Sequence, residues 1–274
     1  AMLALEIGAG DEVIVPPLTF IATAYAPLYV NAKPVFADVD KRTMTIDPMS
    51  IRAKITQKTK AIITVSLYGL IPEMDEIRKI AQEHNLFIVE DNAQCVLGKY
   101  KSQPESSFGD ISIYSFQRSK HLTSGDGGVV VTNNNELARN VRKYADLGYR
   151  LLTAKPSTNE NFKDQIQRPN FKRHEMVGHN FRMPEVCAAM GIAQVEKAKN
   201  LVRLRQEIAM LYQEVIDDFD WVTPQFVPNH IEHTYWAYVF TLDISYISWE
   251  RFREVFLGKG GKTFYGSWSL SYLE

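Results

Sequence analysis

Short, solidly apolar runs alternate along the first half of the chain with stretches whose apolar residues recur at helical spacing. Residues 12–15, 34–39, 60–66 and 86–89 read as strands, apolar through most of their length. Residues 20–30, 73–84 and 134–146 read as helices, and Asp47-Pro48 reads as a helix start, an acidic cap followed by proline. Strands that are apolar on both faces, separated by amphipathic helices, predict a mostly parallel sheet covered on both sides. One stretch, 111–131 (ISIYSFQRSKHLTSGDGGVVV), predicts a strand, a turn, a glycine-containing loop and a second strand. Beyond it, 148–172 is polar and irregular, whereas 184–219 holds helical spacing without a proline after Pro184 and predicts one long, bent helix. Residues 221–223 and 235–242 read as strands and 249–257 as a helix of a smaller second unit. The expected domains are 1–200, a large unit, and 201–274, a smaller α/β unit.

Composition narrows the function classes. The 274 residues carry a formal net charge of −1, and no basic block stands out, which argues against nucleic acid or an anionic membrane as partner. No apolar run reaches the length of a spanning helix. With Cys95 and Cys187 as the only cysteines there is no disulfide framework, and the expected compartment is the cytoplasm. The six histidines show no close pair at helical metal spacing, and no metal is expected. Gly8-Ala9-Gly10 precedes its strand and lacks a third glycine, so it is no dinucleotide fingerprint. Residues 1–5 read as the tail of an apolar helix, and 267–274 end without a polar tail; a fragment of a longer protein is expected.

Chemistry concentrates where strands end. Ligands of open parallel sheets sit outside the carboxyl ends of the strands. Asp91 closes one such strand and Ser115 another, and Lys120 follows in the turn, ahead of Gly125, Gly127 and Gly128. A loop lysine is ordinarily solvated, an aspartate at such a junction ordinarily caps the next helix, and a turn serine ordinarily bonds its own backbone. Together they suit another task. A lysine amine of lowered pKa condenses with a carbonyl, and a pyridoxal ring needs a carboxylate to keep its nitrogen protonated. On this reading Lys120 holds pyridoxal 5'-phosphate as a Schiff base, Asp91 faces the ring nitrogen, Gln94 the ring hydroxyl and Ser115 the phosphate. Phe20 is a candidate to stack on the ring, although composition alone favours a core position for it.

Five ordered blocks resemble the DegT/DnrJ/EryC1/StrS family of sugar aminotransferases: GAGDEVIVPPLTFIATA (8–24), LYGLIPEMDEI (67–77), VEDNAQCVLGKY (89–100), FGDISIYSFQRSKHLTSGDGGVVVTN (108–133) and GHNFRMPEVCAAMGIAQVEK (178–197). The resemblance implies the fold of type I pyridoxal-phosphate transferases and transfer of an amino group, with glutamate as donor, to the keto group of a nucleotide-linked sugar. It assigns Lys120 the cofactor linkage and the proton shuttle, and repeats the roles of Asp91, Gln94, Ser115 and Phe20. It also gives Asn180 to the neighbouring subunit's cofactor phosphate, which implies a homodimer. A glycine- and serine/threonine-rich segment that the family carries ahead of the first block is missing here, and the family's small domain runs further. A related branch, sugar dehydratases, has histidine in place of the lysine; His121 is one position late, so transamination is expected, with dehydration or a non-enzymatic sensing or assembly role as the alternatives.

Overall fold

A computed structural model describes residues 1–150, 164, 166–262 and 266. In chain order the elements are β1 (Glu12–Val15), α1 (Ala22–Leu28), β2 (Lys33–Phe36), α2 (Pro48–Lys54), β3 (Thr59–Val65), α3 (Met74–His84), β4 (Phe87–Asp91), β5 (Lys99–Tyr100), β6 (Gln103–Pro104), β7 (Ile111–Ser115), β8 (Gly128–Val131) and α4 (Asn135–Ala145). There follow α5 (Glu185–Ile216), β9 (Val222–Pro224), β10 (Ile231–Glu232), β11 (Phe240–Leu242) and α6 (Trp249–Gly258).

The central sheet has the order β2-β1-β3-β4-β7-β8. All its pairings are parallel except that of the edge strand β8 with β7. Alternation along each strand sorts the core into two layers. Ile14, Ile62 and Ile88 point to the face packed by Ile51, Met74, Ile77 and Ile80 of α2 and α3. Val13, Val15, Ala61, Ile63 and Val89 point to the opposite face, against Ala24 of α1, Leu5, and the half-buried Leu137 and Val141 of α4. Caps appear where the sequence places them: Asp47 accepts a hydrogen bond from the Met49 amide, and Asn134 from the amides of Glu136 and Leu137.

The chain leaves β1 for β2 on one side and crosses to β3 on the other. That reversal opens a crevice at the carboxyl ends of β1 and β3. The segments after β1, β3, β4 and β7 therefore share one rim, and they carry Phe20, Tyr68, Asp91 with Gln94, and Ser115 with Lys120.

Two elements differ from the sequence reading. The 235–242 strand shrinks to Phe240–Leu242. The backbone ahead of it is spent elsewhere: the Thr234 amide donates to the Gly69 carbonyl and the Ala237 amide to that of Tyr68. In addition, β5, β6 and β10 form a small antiparallel sheet that joins the chain after β4 to residue 231. Two-residue strands carry no period to read. The long helix runs unbroken as α5, and most of the irregular 148–172 stretch lies outside the described residues. Among the described residues no helix is long and apolar enough to cross a membrane.

Candidate active site at the strand ends

Asp91 is the last residue of β4, held between β3 and β7 by its pairing with Val65 and Ile113. It shares the parity of Val89, so its side chain turns to the α1 face. There Oδ2 accepts from the Thr23 hydroxyl at 2.9 Å, and Oδ1 from the Ala93 amide at 3.1 Å. Thr23 in turn touches the Thr19 hydroxyl at 3.1 Å, four residues earlier in the segment ahead of α1. Burial raises the pKa of Asp91 above the ordinary carboxylate range, against the lowering pull of these bonds and of the Lys120 charge. No helix follows Asp91, so the cap role is not taken up, and the bond from the Ala93 amide shapes a turn instead. Thr23 is the positioning residue that the sequence reading missed; its signal was the pair Thr19 and Thr23, four apart across the start of the helix entering the site.

Lys120 is half-buried. Desolvation lowers its pKa, and the charge of Asp91 partly restores it. Its loop is closed by backbone bonds from Phe116 to Gly127, from Ser124 to Phe116 and from Lys120 to Gln117. Gly127 has φ +132°, a backbone conformation that favours glycine, while the Met183 methyl that a Cβ would meet at 2.7 Å ends a flexible side chain that can move aside.

The remaining candidates divide. Gln94 is buried, and its Oε1 accepts from the Tyr68 amide at 2.8 Å; the amide nitrogen makes no hydrogen bond among the described residues. Tyr68 needs that anchor, since its φ of 61° is unfavourable for a bulky side chain. The Ser115 hydroxyl accepts from the Gln117 amide at 3.3 Å, the local turn bond expected of a loop serine, and its own hydrogen stays free to donate. Phe20 is 46% exposed at the rim, so the core position favoured by composition is not the one it takes. Asn180 stands apart, exposed, in an isolated bridge with Asp146 at the end of α4.

The far wall comes from residues 233–237. The indole Nε1–H of Trp236 donates to the Ser119 carbonyl at 2.8 Å, and its ring centre lies 4.8 Å from Lys120 Nζ. His121 Nε2 bonds the Thr234 carbonyl at 3.0 Å, while its buried Nδ1 has no partner among the described residues. Arg205 and Gln206 of α5 donate to the carbonyls of Trp236 and His233. Nothing in the local sequence marks this strap, because its contacts with the Lys120 loop join residues more than 100 positions apart.

The family model for the DegT/DnrJ/EryC1/StrS aminotransferases matches residues 1–258, and the chain belongs to that family. It is 39% identical over 236 residues to the GDP-perosamine synthase of Escherichia coli O157:H7, covering 86% of this chain and 60% of that protein. The X-ray structure of an aminotransferase from Psychrobacter cryohalolentis superposes with a TM-score of 0.87 at 32% identity, over 100% of this chain and 71% of that one. DesV of S. venezuelae, solved in complex with a ketimine intermediate, gives 0.83 at 28% identity, over 95% and 64%. The chain spans about three fifths of the length of the curated relatives it matches. The fold is that of the family's pyridoxal-phosphate-dependent aminotransferases, and membership implies dependence on that cofactor. The residues fit the group: a buried carboxylate with no ion pair among the described residues and a desolvated amine that feels its charge share the crevice, as a pyridinium nitrogen and an aldehyde require.

Proposed function

We propose that this chain supplies the catalytic centre of an aminotransferase that moves an amino group, from glutamate, to a keto group of a nucleotide-linked sugar. The observation that carries the reading is the pairing of Lys120 with the buried Asp91 at adjacent strand ends, in a chain of this family. When bound, pyridoxal phosphate supplies the electron sink and carries the amino group from donor to acceptor. Lys120 links it covalently through Nζ. Burial keeps a larger share of that amine neutral near pH 7 than an exposed lysine would have, which suits it to attack a carbonyl and, once released, to move a proton between carbon atoms.

The Asp91 carboxylate pairs with the protonated ring nitrogen, and Thr23 and the Ala93 amide hold it in place. Gln94 offers its free amide hydrogens to the ring oxygen, Ser115 its hydroxyl to the phosphate, and Phe20 its exposed face to the ring. Asn180, exposed beside the end of α4, reaches the phosphate of a second copy in a homodimer. The division at residue 200, with α5 as the link, belongs to the same reading. His121 is committed to the Thr234 carbonyl, which disfavours it as the base of a dehydratase.

The test is the absorbance spectrum of the full-length protein with added pyridoxal phosphate, before and after borohydride, followed by peptide mass mapping. The expected result is a band that borohydride abolishes and a cofactor mass on Lys120. Lys120→Ala should fold and bind the sugar nucleotide without turnover. Attachment elsewhere, or a turning-over Lys120→Ala, would overturn the assignment.

A further inference from the structure

The roles proposed so far leave the contact between Trp236 and Lys120 unexplained. We propose that Trp236 is a positioning residue: its indole face is the resting place of the Lys120 ammonium whenever that amine is free of the cofactor. The inference rests on the proposed function for its timing in the reaction, but its geometry and its test do not. In any transfer that passes through a cofactor-borne amino group, the lysine is set free for half the cycle. A half-buried ammonium then has few waters, and without a partner it would give up its proton or swing away.

The strap meets that need. Nζ lies 4.8 Å from the Trp236 ring centre, within cation–π range. The ring is fixed at both ends of the residue: Nε1–H donates to the Ser119 carbonyl at 2.8 Å, and the Trp236 carbonyl accepts from Arg205 Nη1 at 2.8 Å. The backbone on either side is bonded to Gly69 and Tyr68, so the ring cannot retreat without breaking the seam. The charged and titratable groups facing the amine are Asp91, which stabilises its charge, and His121, neutral at ordinary pH and next in sequence; Arg205 acts behind His121. With Trp236 as the partner of the ammonium, the Asp91 carboxylate is left to the ring nitrogen.

The test uses full-length protein freed of cofactor. Acylation of Lys120 by acetic anhydride, read by peptide mass across pH, reports the pKa of its amine. Trp236→Leu is expected to lower that midpoint by about half a unit to one unit, a three- to tenfold gain in reactivity below it. Trp236→Phe, which keeps a π face, should recover most of the shift. In Lys120→Met, which leaves Trp236 in place, the pH profile of tryptophan emission should lose the step that shares this midpoint. A midpoint unchanged in folded Trp236→Leu, or an emission profile unchanged in Lys120→Met, would overturn the inference. Failure of the cofactor to attach to Lys120 is a separate outcome that counts against the proposed function alone.

Discussion

The two walls of the crevice are built on different principles. The sheet wall, at the ends of β3, β4 and β7, is made of buried groups held from neighbouring strand ends: Asp91 by Thr23 and Ala93, Gln94 by Tyr68, Ser66 by Asn92. Strand pairing fixes Asp91 directly, and backbone bonds from Ser66 to the Asp91 carbonyl and from Asn92 to the Ile113 carbonyl carry the register one residue further. The strap wall at 233–237 has no ladder of its own. It exists through bonds to Gly69, Tyr68, Ser119, His121 and α5, each reaching far along the chain. A wall of the first kind can hold a charge rigidly; a wall of the second kind can be shifted by changing the contacts that hold it. The comparison assigns fixed electrostatics to Asp91 and adjustable placement of Lys120 to the strap.

The sharpest way to break that contrast is on the rigid side. Asp91→Asn keeps the shape and the bond from the Ala93 amide, with the Thr23 hydroxyl turning to accept from the new amide nitrogen, but removes the carboxylate. Under the proposed function kcat should fall by about 10²–10³-fold, the scale of one lost preorganised electrostatic contact. The thermal midpoint should hold or rise, because burial disfavours the charged form of Asp91. Steady-state kinetics beside a melting curve decides it: a variant with near-normal kcat would mean that Asp91 only shapes the turn after β4.

The same contrast explains what the sequence made legible. Ile62, Ile88 and Val89 announce the sheet because an apolar run bounded by turns has few other solutions, and Asp91 follows as the residue that ends it. Lys120 stands out because a strand precedes it and glycines follow. The family blocks are carried by these same local segments, and the match over 1–258 bears out that resemblance. The contacts of Trp236 with Lys120 and of His121 with Thr234 were not legible. They depend on Gly69 admitting the strap, and a glycine in a Tyr-Gly turn advertises only the turn. The expected 235–242 strand fails for the same reason, since alternation cannot reveal that the amides of Thr234 and Ala237 are taken by another segment.

On the adjustable side the larger effect falls at Gly69. Its φ is +110°, and a Cβ would come within 2.7 Å of both Thr234 Oγ1 and the Tyr235 amide nitrogen. Gly69→Ala therefore strains the backbone and pushes the strap outward. The backbone part alone costs about 1–3 kcal/mol. Urea unfolding should show at least that loss, and amide exchange should speed up at Thr234 and Ala237 before it does in β3 or β4. Uniform exchange across both walls would mean that strap and sheet open together, and the distinction between them would fall.

The smallest effect is conditional on pH and isolates the seam itself. Burial pushes His121 from 6.5 to about 4 and His233 from 6.5 to about 3, so both are neutral in the fold. The unfolded chain takes up these protons first. Their contribution is thus fully present above 6.5 and is lost as pH falls toward the folded values. Between pH 7.5 and 5 each histidine removes about 2 kcal/mol of stability. Glu90 works with the opposite sign: burial lifts it to about 7, and the stability it lends below 4.5 is lost as pH rises through that value. The raw pH profile mixes the two, so the informative quantity is the difference between wild type and His121→Gln, whose side-chain amide can still donate to the Thr234 carbonyl. At pH 7.5 the two proteins should unfold at similar urea concentrations. At pH 5 the variant should be the more stable by about 2 kcal/mol, because it has no imidazole to protonate on unfolding. A gap that stays constant across pH would show that His121 is already charged in the fold, with its Nδ1 solvated, and the strap would then be a wetter and looser wall than its bonds indicate.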